Sequence, residues 1–393
     1  MQEKNTPDLS SFEDIRPYID AEIPEVTQTL LKDPEVRTIL PMIAGNVSYE
    51  KLEAQAKSID SVYAFKTELI LPLMHKIIRE TTFSINTSGK SKLRPFADQG
   101  RKFIFISNHR DIVLDSALLN VVLLENDLGL PRIAIGDNLL IRPWIRSLVR
   151  ACDAFIVKRA PSIREMLAES LKLSQYIRRT IELSEESIWI AQREGRAKDS
   201  DDRTQTALLK MLSMSSDEPL PESLLSLNIV PLAISYEYDP CDYLKAEETL
   251  RKKLDPSHKK SQADDLLNMK QGILGNKGRV HFTFNAPLSP DDIETTADMK
   301  RQDLLDAVAS AIDHKIHLGY RIYPSNYVAY DLLNGSKRFA HLYSEQERLQ
   351  FELYVHDQIE KIKMPGKDVP FLKHTILTMY ANPLINQLKA QKR

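Results

Sequence analysis

The sequence predicts an α/β fold in which helices flank a largely parallel sheet, with helical regions extending the fold at both ends. Three observations support this prediction. Short apolar runs rich in β-branched residues recur through the middle of the chain, and helix-like segments separate most of them. Such alternation is typical of parallel strands that are buried on both faces. With 393 residues, 42% of them hydrophobic, the chain is also able to bury a sizeable core.

The spacing of apolar residues changes along the chain and divides it into three regions. They are an N-terminal helical region, an α/β domain and a C-terminal helical region, at residues 1–85, 86–290 and 291–393. In the first region apolar residues lie three and four apart, most clearly over residues 49–80, as on one face of a helix. The third region returns to that spacing over residues 303–316 and 344–363. The polar segment 90–100, with a proline and a glycine, predicts a loop.

The α/β domain contains six predicted strands. They occupy residues 103–107, 132–135, 154–157, 187–191, 229–235 and 279–284. The clearest helix-like segments between them occupy residues 116–125, 163–183 and 204–214. Ligands of open parallel sheets bind outside the carboxyl ends of the strands. We therefore expect the functional residues to lie just after these apolar runs.

The composition argues against several classes of function. The chain has 53 basic and 55 acidic residues, and the resulting net charge of -2 disfavours a protein that coats nucleic acid. Cys152 and Cys241 are too few for a disulfide framework or a four-thiolate metal site, so we expect two reduced intracellular thiols. The first residues do not resemble a signal peptide, and the apolar runs fall short of the roughly 20 residues that a spanning helix needs. The sequence therefore predicts a cytoplasmic protein that does not cross a membrane but is able to lie on one.

Common catalytic and nucleotide-binding motifs are absent from the sequence. It holds neither the G-x-S-x-G elbow of serine hydrolases nor the H-E-x-x-H motif of zinc proteases. Residues 88–91 look like the end of a phosphate-binding loop, but that loop needs a glycine at position 84, which is Ser84. The chemistry therefore has to come from another group of residues.

His109 is the strongest candidate for a catalytic residue. It stands in the polar cluster 108–111, just past the predicted strand at 103–107, and Asp115 follows close behind. Imidazole titrates near neutrality and a carboxylate partner fixes its tautomer, so the arrangement suits a general base. Both Asp111 and Asp115 are candidate partners. The alternative is that the cluster only caps a turn, since Asn and Asp are common turn residues.

Charged side chains also follow two further predicted strands, those at 154–157 and 187–191. They are Lys158 and Arg159 after the first, and Glu194 and Arg196, separated by Gly195, after the second. Cations at a strand end suit a phosphate, and a carboxylate beside them suits a hydroxyl group. Basic runs are more often solvated surface, so each cluster alone is a weak signal. Together with His109, polar clusters at three strand ends of one sheet predict a single site.

The order of these clusters resembles the glycerolipid acyltransferase family, which comprises glycerol-3-phosphate and lysophosphatidate acyltransferases. The resemblance covers about residues 85–290 and rests on five blocks. They are Asn108-His109-Arg110 through Asp115, Gly136-Asp137 through Lys158-Arg159, Arg193-Glu194-Gly195-Arg196, 229–234 and 278–287. The order of the blocks is specific, although no single block is. Five residues separate His109 from Asp115 where the family has four, and position 114 holds Leu114. The third block is one residue shorter than the E-G-x-R of the family.

The resemblance implies an enzyme that moves a fatty acyl group from a thioester to a hydroxyl group in phospholipid biosynthesis. The implied donor is acyl-coenzyme A or acyl carrier protein, and the implied acceptor is glycerol-3-phosphate or a lysophospholipid such as lysophosphatidate. His109 is expected to be the general base, oriented by Asp115 in preference to Asp111. The resemblance also implies a substrate-binding set, in which cations hold the acceptor phosphate and a carboxylate holds its free hydroxyl: Arg110, Lys158, Arg159, Glu194, Gly195 and Arg196.

No metal, redox group or other cofactor is implied, since the acyl thioester is a co-substrate. We expect peripheral binding to the inner face of the cytoplasmic membrane through an apolar and basic surface, and no nucleic-acid partner. The long helical N-terminal region favours the glycerol-3-phosphate branch. Three other interpretations stay open, namely an N-acyltransferase that makes amino-acid lipids, a non-catalytic scaffold that binds lipid or phosphate, and a hydrolase.

Overall fold

The computed structural model describes residues 9–44, 48–159, 162–183, 186–296 and 298–392, and it confirms the predicted α/β class. Within these ranges one sheet of seven strands forms the centre of the molecule. The strands are β1 (Thr82–Ser88), β2 (Ile104–Ser107), β3 (Arg132–Gly136), β4 (Ala154–Val157), β5 (Ile188–Ala191), β6 (Ile229–Tyr236) and β7 (Gly278–Phe284).

Most of the sheet is parallel, as the sequence predicts. Its strand order is β1-β7-β6-β2-β5-β3-β4, and the five strands from β6 to β4 run in the same direction. β7 pairs antiparallel with β6, and β1 pairs parallel with β7, so the two strands at this side run the opposite way. The carboxyl ends of the five parallel strands therefore share one edge of the sheet, which we call the carboxyl edge.

The six predicted strands are all present, with ends within one residue of the prediction. The sequence did not predict β1, which spans the predicted boundary at residue 85. β1 is an edge strand in which no side chain is buried, and Phe83 points into solvent with 84% of its surface exposed. A strand of this kind lacks the continuous apolar run by which the buried strands were recognised.

The N-terminal helices pack around a core of their own. They are α1 (Ile23–Lys32), α2 (Pro34–Ala44), α3 (Tyr49–Ala56), α4 (Val62–Ala64) and α5 (Leu71–Thr81), with a π-helical turn at Phe65–Ile70 between the last two. The helical pattern over 49–80 is interrupted between α3 and α4, where the side chain of Ser61 accepts a hydrogen bond from the backbone of Ala64. Because Ser at this position caps a new helix, the chain restarts there instead of continuing.

A second group of helices connects the strands. They are α6 (Arg94–Ala97), α7 (Leu114–Leu124), α8 (Pro143–Ala151), α9 (Ile163–Glu182), α10 (Thr206–Leu212), α11 (Glu222–Leu225), α12 (Asp242–Leu254) and α13 (Gln262–Leu274). The helices predicted at 116–125, 163–183 and 204–214 correspond to α7, α9 and α10. The predicted loop at 90–100 is wrong in part, because Pro95 stands in the first turn of α6, where its missing N–H costs no hydrogen bond.

The C-terminal region contains α14 (Arg301–Gly319), α15 (Pro324–Asn334), α16 (Glu345–Lys361) and α17 (Val369–Ala390). These helices confirm the helical prediction for 303–316 and 344–363. α15, α16 and α17 share a buried cluster with α12, in which Leu250 meets Val328 and Ile376. α14 instead packs on the sheet side, where Ile312 and Ile316 are fully buried. No helix within the described ranges combines the length and the apolar character that a membrane span needs.

The sheet separates two layers of core, one on each of its faces. Along β2, Ile104 and Ile106 belong to the layer that contains Tyr176 of α9, whereas Phe105 belongs to the layer that contains Leu118 of α7. Successive side chains of a strand point to opposite faces, so a strand that fills both layers has to be apolar throughout. This requirement explains the run at 103–107, and it leaves the polar residues that follow to form the carboxyl edge.

A buried carboxyl group joins α12 to the C-terminal helices. Oδ2 of Asp242 accepts hydrogen bonds from the hydroxyl groups of Tyr354 at 2.6 Å and Tyr380 at 2.9 Å. Burial raises the pKa of Asp242 from its ordinary value of 3.8 to about 7, despite these two hydrogen bonds. Between these two values the folded protein holds a proton that the unfolded chain has released. The free energy of unfolding therefore decreases as the pH rises through this window.

Asp242→Asn should make the stability less dependent on pH. An amide does not titrate, and its oxygen still accepts hydrogen bonds from the two tyrosines. In urea unfolding at pH 5, 6, 7 and 8, we expect the wild type to lose more stability across the series than the variant. Parallel pH profiles for the two proteins would contradict the assignment of this proton to Asp242.

Candidate active site

The chain leaves β2 through a segment that is bonded to both neighbouring strands. Asn108 is buried, and its side chain donates to the carbonyl of Ile234 at 2.9 Å and accepts from the backbone N–H of the same residue at 2.8 Å. On the other side, the backbone N–H of Gln192 donates to the carbonyl of Ser107 at 2.8 Å. The amide of Asn108 thus extends the pairing of β2 with β6 by one residue. The next residue, His109, is held at the middle of the carboxyl edge.

His109 is paired with Asp115. Nδ1 of the imidazole lies 2.8 Å from Oδ2 of Asp115, and the backbone N–H groups of Arg110 and Asp111 donate to the same oxygen at 2.6 and 3.0 Å. Asp115 is fully buried in the first turn of α7, where the helix dipole favours a negative charge. Because a carboxylate only accepts, Nδ1 carries the proton and Nε2 is left with its lone pair.

Asp111 has a different position. Its Oδ1 accepts from the backbone N–H groups of Val113 at 2.9 Å and Leu114 at 2.8 Å, so it caps the start of α7. Its Oδ2 has no hydrogen-bond partner among the described residues, and burial next to the charge of Asp115 raises the pKa of Asp111. A Cβ atom on Gly272 would lie 2.0 Å from this oxygen, so α13 approaches it closely. The structure therefore brings Asp115 to His109, and the extra residue of the spacing is accommodated in the capped turn.

Trp189 forms one wall beside His109, although the sequence did not single it out. The two rings meet edge to face, with centroids 5.8 Å apart, and the indole N–H of Trp189 donates to Oγ of Ser107 at 3.0 Å. The side chain of His109 retains 11% of its exposure. The imidazole is therefore fixed by Asp115 and Trp189 while a small part of it stays accessible.

Arg110 points into the protein. Its guanidinium lies 3.9 Å from Oδ2 of Asp202 and over the ring of Tyr320, 5.7 Å from the centroid. Asp202 is fully buried, and no described residue donates a hydrogen bond to either of its carboxylate oxygens. Burial raises the pKa of Asp202, against the opposing charges of Arg110 and Lys245. Sequence reasoning missed Asp202, because only the fold brings residue 202 close to the end of β2.

The predicted residues after β5 separate into an inner and an outer group. Arg196 is buried and donates to Oδ1 of Asn268 on α13 at 2.9 Å. Glu194 is exposed and forms an ion pair with Arg159, which follows β4. Gly195 lies between them with a φ of +67°, a conformation that favours glycine. Arg196 therefore faces the interior near Asp111, whereas Glu194 and Arg159 lie on the rim of the carboxyl edge.

Lys158 is the predicted residue that lies farthest from His109 along the sheet. β4 is the edge strand, and β5 and β3 separate it from β2, which corresponds to about 14 Å at the usual strand spacing. The ammonium group of Lys158 forms an ion pair with Asp14 and lies 3.8 Å from Glu169. The structure does not bring Lys158 next to His109, and its charge is neutralised locally.

Arg193 is a cation that the candidate set did not include. It follows Gln192 directly, and Gln192 is bonded to Ser107 at the end of β2. The guanidinium of Arg193 is half-buried and has no hydrogen bond or ion pair with any residue in the described ranges. Its charge acts on the buried carboxylate of Asp202. In the sequence, Arg193 could be recognised as a candidate from its position two residues after a buried strand.

Neither cysteine is placed to act as a nucleophile. Cys152 ends α8, and Cys241 precedes α12, where its thiol donates to the carbonyl of Asn268 at 3.4 Å. Burial raises the pKa of both thiols to about 12, so neither forms a thiolate near neutral pH. Among the described residues, no group of three or more His, Cys, Asp or Glu side chains is arranged to hold a metal ion.

Comparison with known proteins finds a family model that matches part of this chain. Residues 84–234 match the model of the Acyltransferase family. A curated relative, glycerol-3-phosphate acyltransferase of Colwellia psychrerythraea (strain 34H), is 23% identical over 269 residues, which is 66% of this chain. The match spans 31% of the length of that relative. A solved structure, the 1-acyl-sn-glycerophosphate acyltransferase PlsC of Thermotoga maritima, aligns over 77% of this chain and 98% of its own, with 13% identity and a TM-score of 0.34.

Proposed function

We propose that this chain is a glycerolipid acyltransferase, which transfers an acyl group from a thioester to a hydroxyl group of a glycerol phosphate or lysophospholipid. The match of residues 84–234 to the Acyltransferase model supports this proposal. The observation that carries the proposal is the pair of His109 and Asp115 at the carboxyl edge of a parallel sheet. A curated relative is named as a glycerol-3-phosphate acyltransferase, and this favours glycerol-3-phosphate as the acceptor. The donor is an acyl-coenzyme A or an acyl carrier protein, and the pathway is phospholipid synthesis.

In this proposal His109 is the general base. Nε2 removes the proton of the acceptor hydroxyl as the oxygen attacks the carbonyl carbon of the thioester. The tetrahedral intermediate then collapses, the carbon–sulfur bond breaks, and the imidazolium returns the proton to the departing thiolate. The products are an ester and a free thiol. The buried carboxylate of Asp115 stabilises the imidazolium, and base catalysis of this kind contributes roughly 10²- to 10⁴-fold.

We propose Arg193 as the first contact of the acceptor phosphate. A phosphate binds best to cations that are not already neutralised, and the guanidinium of Arg193 has no partner among the described residues. Lys158 and Arg159 would first have to leave Asp14 and Glu194. An exposed ion pair such as that of Arg159 costs little to open, so Arg159 completes the phosphate contact once the acceptor has bound, and Glu194 is then released to accept from the free hydroxyl. Lys158, which is less exposed and lies near both Asp14 and Glu169, stays outside this contact.

We propose that the protein binds the membrane surface through the first turns of α9. α9 begins just after β4, at the carboxyl edge, and its first half exposes four apolar side chains at helical spacing: Ile163, Met166, Leu167 and Leu171. Such a stripe, next to the site that uses lipid substrates, suits contact with the apolar part of a bilayer interface. Arg164 lies beside the stripe on the exposed surface and is available to lipid phosphates.

His109→Ala should reduce acceptor-dependent acyl transfer by at least about 100-fold, because the general base is lost. Asp115→Asn should also be strongly impaired, since an amide no longer stabilises the imidazolium. Asp111→Asn is the matched control, because its amide oxygen still caps α7, and it should keep most of the activity. Purified protein would be given acyl-coenzyme A or acyl carrier protein with glycerol-3-phosphate or lysophosphatidate, and thiol release and lipid product would be followed.

The same assay separates the competing functions. Thiol release without any acceptor would indicate a hydrolase, and transfer only to amines would indicate an N-acyltransferase. Binding of lipid or phosphate without turnover of any donor would indicate a scaffold. Equal losses in Asp111→Asn and Asp115→Asn would contradict the assignment of the partner of His109.

Arg193→Gln should raise the KM for a phosphate-bearing acceptor by about 10- to 100-fold. This change corresponds to the free energy that a hydrogen bond to a charged group usually contributes. The KM for the acyl donor should stay unchanged. Arg159→Gln is the control, because it removes a cation that already has a partner, and it should have a smaller effect. Steady-state kinetics with the acceptor varied would test both variants, and a larger effect of Arg159→Gln would reverse the assignment.

Leu167→Ser combined with Leu171→Ser should weaken binding to vesicles of phosphatidylcholine and phosphatidylglycerol by about tenfold, because two apolar side chains are lost from the membrane contact. Leu349→Ser combined with Leu353→Ser is the matched control, since these residues have the same spacing on α16 and are at least as exposed as Leu167 and Leu171. Cosedimentation with vesicles would measure the difference. Similar binding by both double variants would rule out α9 as the contact surface.

A further inference from the structure

The segment between β5 and α10, residues 192–205, contains every candidate substrate contact that follows β5, and we call it the acceptor loop. It has no helix or strand. The backbone N–H of Gln205 donates to the carbonyl of Gln192 at 2.9 Å, and the side chain of Gln205 accepts from the N–H of Glu194 at 2.8 Å. The two ends of the loop are therefore closed beside the end of β2. Its middle has to be held by other elements.

α14 of the C-terminal region holds the last part of the acceptor loop. Oδ1 of Asp313 accepts from both the backbone N–H and the hydroxyl of Thr204, at 2.8 and 2.6 Å. One turn further along α14, Nε2 of His317 lies 3.1 Å from the carbonyl oxygen of Asp202. Burial lowers the pKa of His317 to about 4, so the ring is neutral and donates from Nε2. These contacts fix the backbone on both sides of Arg203.

α17 holds the preceding part of the loop. The amide of Asn386 donates to Oδ1 of Asp201 at 2.9 Å and accepts from the guanidinium of Arg203 at 3.1 Å. One turn earlier on α17, the amide of Asn382 donates to the carbonyl of Asp199 at 2.8 Å. Residues 199–204 are thus bonded to the C-terminal region at almost every position.

We propose that α14 and α17 position the acceptor loop, and that the C-terminal region thereby sets the affinity for the acyl acceptor. This inference rests on the proposed function, in which the loop carries Arg193 and Glu194 to the acceptor. Asp313 and Asn386 are positioning residues: they do not touch the substrate but hold the loop that does.

The structure separates this role from the chemistry. His109 and Asp115 are held by β2, β6 and α7, whereas the loop approaches them through the bond from Gln192 to Ser107 and through the contact of Asp202 with Arg110. A loosened loop leaves the base intact and reduces the fraction of molecules whose loop is ready to bind. The apparent affinity falls in proportion to that fraction, whereas turnover at saturating acceptor changes little.

Asn386→Ala and Gln387→Ala form a matched pair of variants. They are neighbours on α17, and each side chain makes two hydrogen bonds, but Gln387 bonds to the carbonyls of Leu318 and Tyr320 instead of the loop. Asn386→Ala should raise the acceptor KM by about 5- to 20-fold, with kcat changed less than about twofold and the donor KM unchanged. Gln387→Ala should leave the acceptor KM unchanged at a similar Tm. Equal acceptor KM values for the two variants would overturn the proposal.

Two substitutions of Asp313 test whether a conservative change preserves the acceptor KM. Asp313→Asn keeps the oxygen that accepts from Thr204, so its acceptor KM should stay close to that of the wild type. Asp313→Ala removes that oxygen and should raise the acceptor KM as Asn386→Ala does. If the asparagine and alanine variants were equally impaired, the hydrogen bonds to Thr204 would not be what positions the loop, and the proposal would fail.

Limited trypsin digestion measures the position of the loop without any turnover. Lys198 and Arg203 lie in the loop, and cleavage after them should be several-fold faster in Asn386→Ala than in Gln387→Ala. Glycerol-3-phosphate should slow this cleavage in the wild type. Equal cleavage of the two variants would refute the positioning role by itself. Faster cleavage of Asn386→Ala, together with a wild type that transfers no acyl group, would overturn the proposed function and leave the loop attachment standing.

Discussion

The candidate site depends on the buried carboxylate of Asp115. One of its oxygens receives the imidazole of His109 and two backbone N–H groups, and all three contacts lie at the start of α7. A carboxylate without such partners would be costly to bury, so the end of β2 and the start of α7 have to meet in this one arrangement. The side chain of Asn108 bonds the same turn to β6, and Asp111 caps the helix. The imidazole of His109, the proposed general base, is thereby oriented by contacts that belong to the core of the fold.

In the interior behind His109, buried cations lie close to buried carboxyl groups. The cations Arg110, Arg196 and Lys245 are buried close to the carboxyl groups of Asp111, Asp202 and Asp239. The burial of the three cations is tolerated because opposite charges lie nearby. Buried cations of this kind hold the frame of the site, and in the proposed function the acceptor is bound by cations that face the solvent. For this reason Arg193, which is half-buried and has no hydrogen bond or ion pair among the described residues, is a stronger candidate for binding the acceptor than the buried cations.

Much of this organisation could be predicted from the sequence, and the part that could not has a physical cause. Buried strands can be recognised in the sequence as apolar runs, and His109 could be found because it follows one of them. The choice between Asp111 and Asp115 depends on a hydrogen-bonded turn, which spacing alone does not determine. Asp14 neutralises Lys158 across 144 positions of sequence, and Asp313 meets Thr204 across 109, so neither contact has a local signal. β1 escaped prediction because an exposed edge strand has no apolar run.

The C-terminal helices are continuous with the sheet domain in their packing as well as in their contacts with the loop. α14 buries Ile312 and Ile316 in the same core layer as Ile106 of β2, and α17 shares a core with Leu250 of α12. Packed cores resist small displacements, so helices anchored in this way are rigid supports for the hydrogen bonds that they offer. A loop without regular structure gains a defined shape only from such supports. The region beyond the sheet is therefore part of the proposed acceptor site, because it supplies the rigidity that the loop itself lacks.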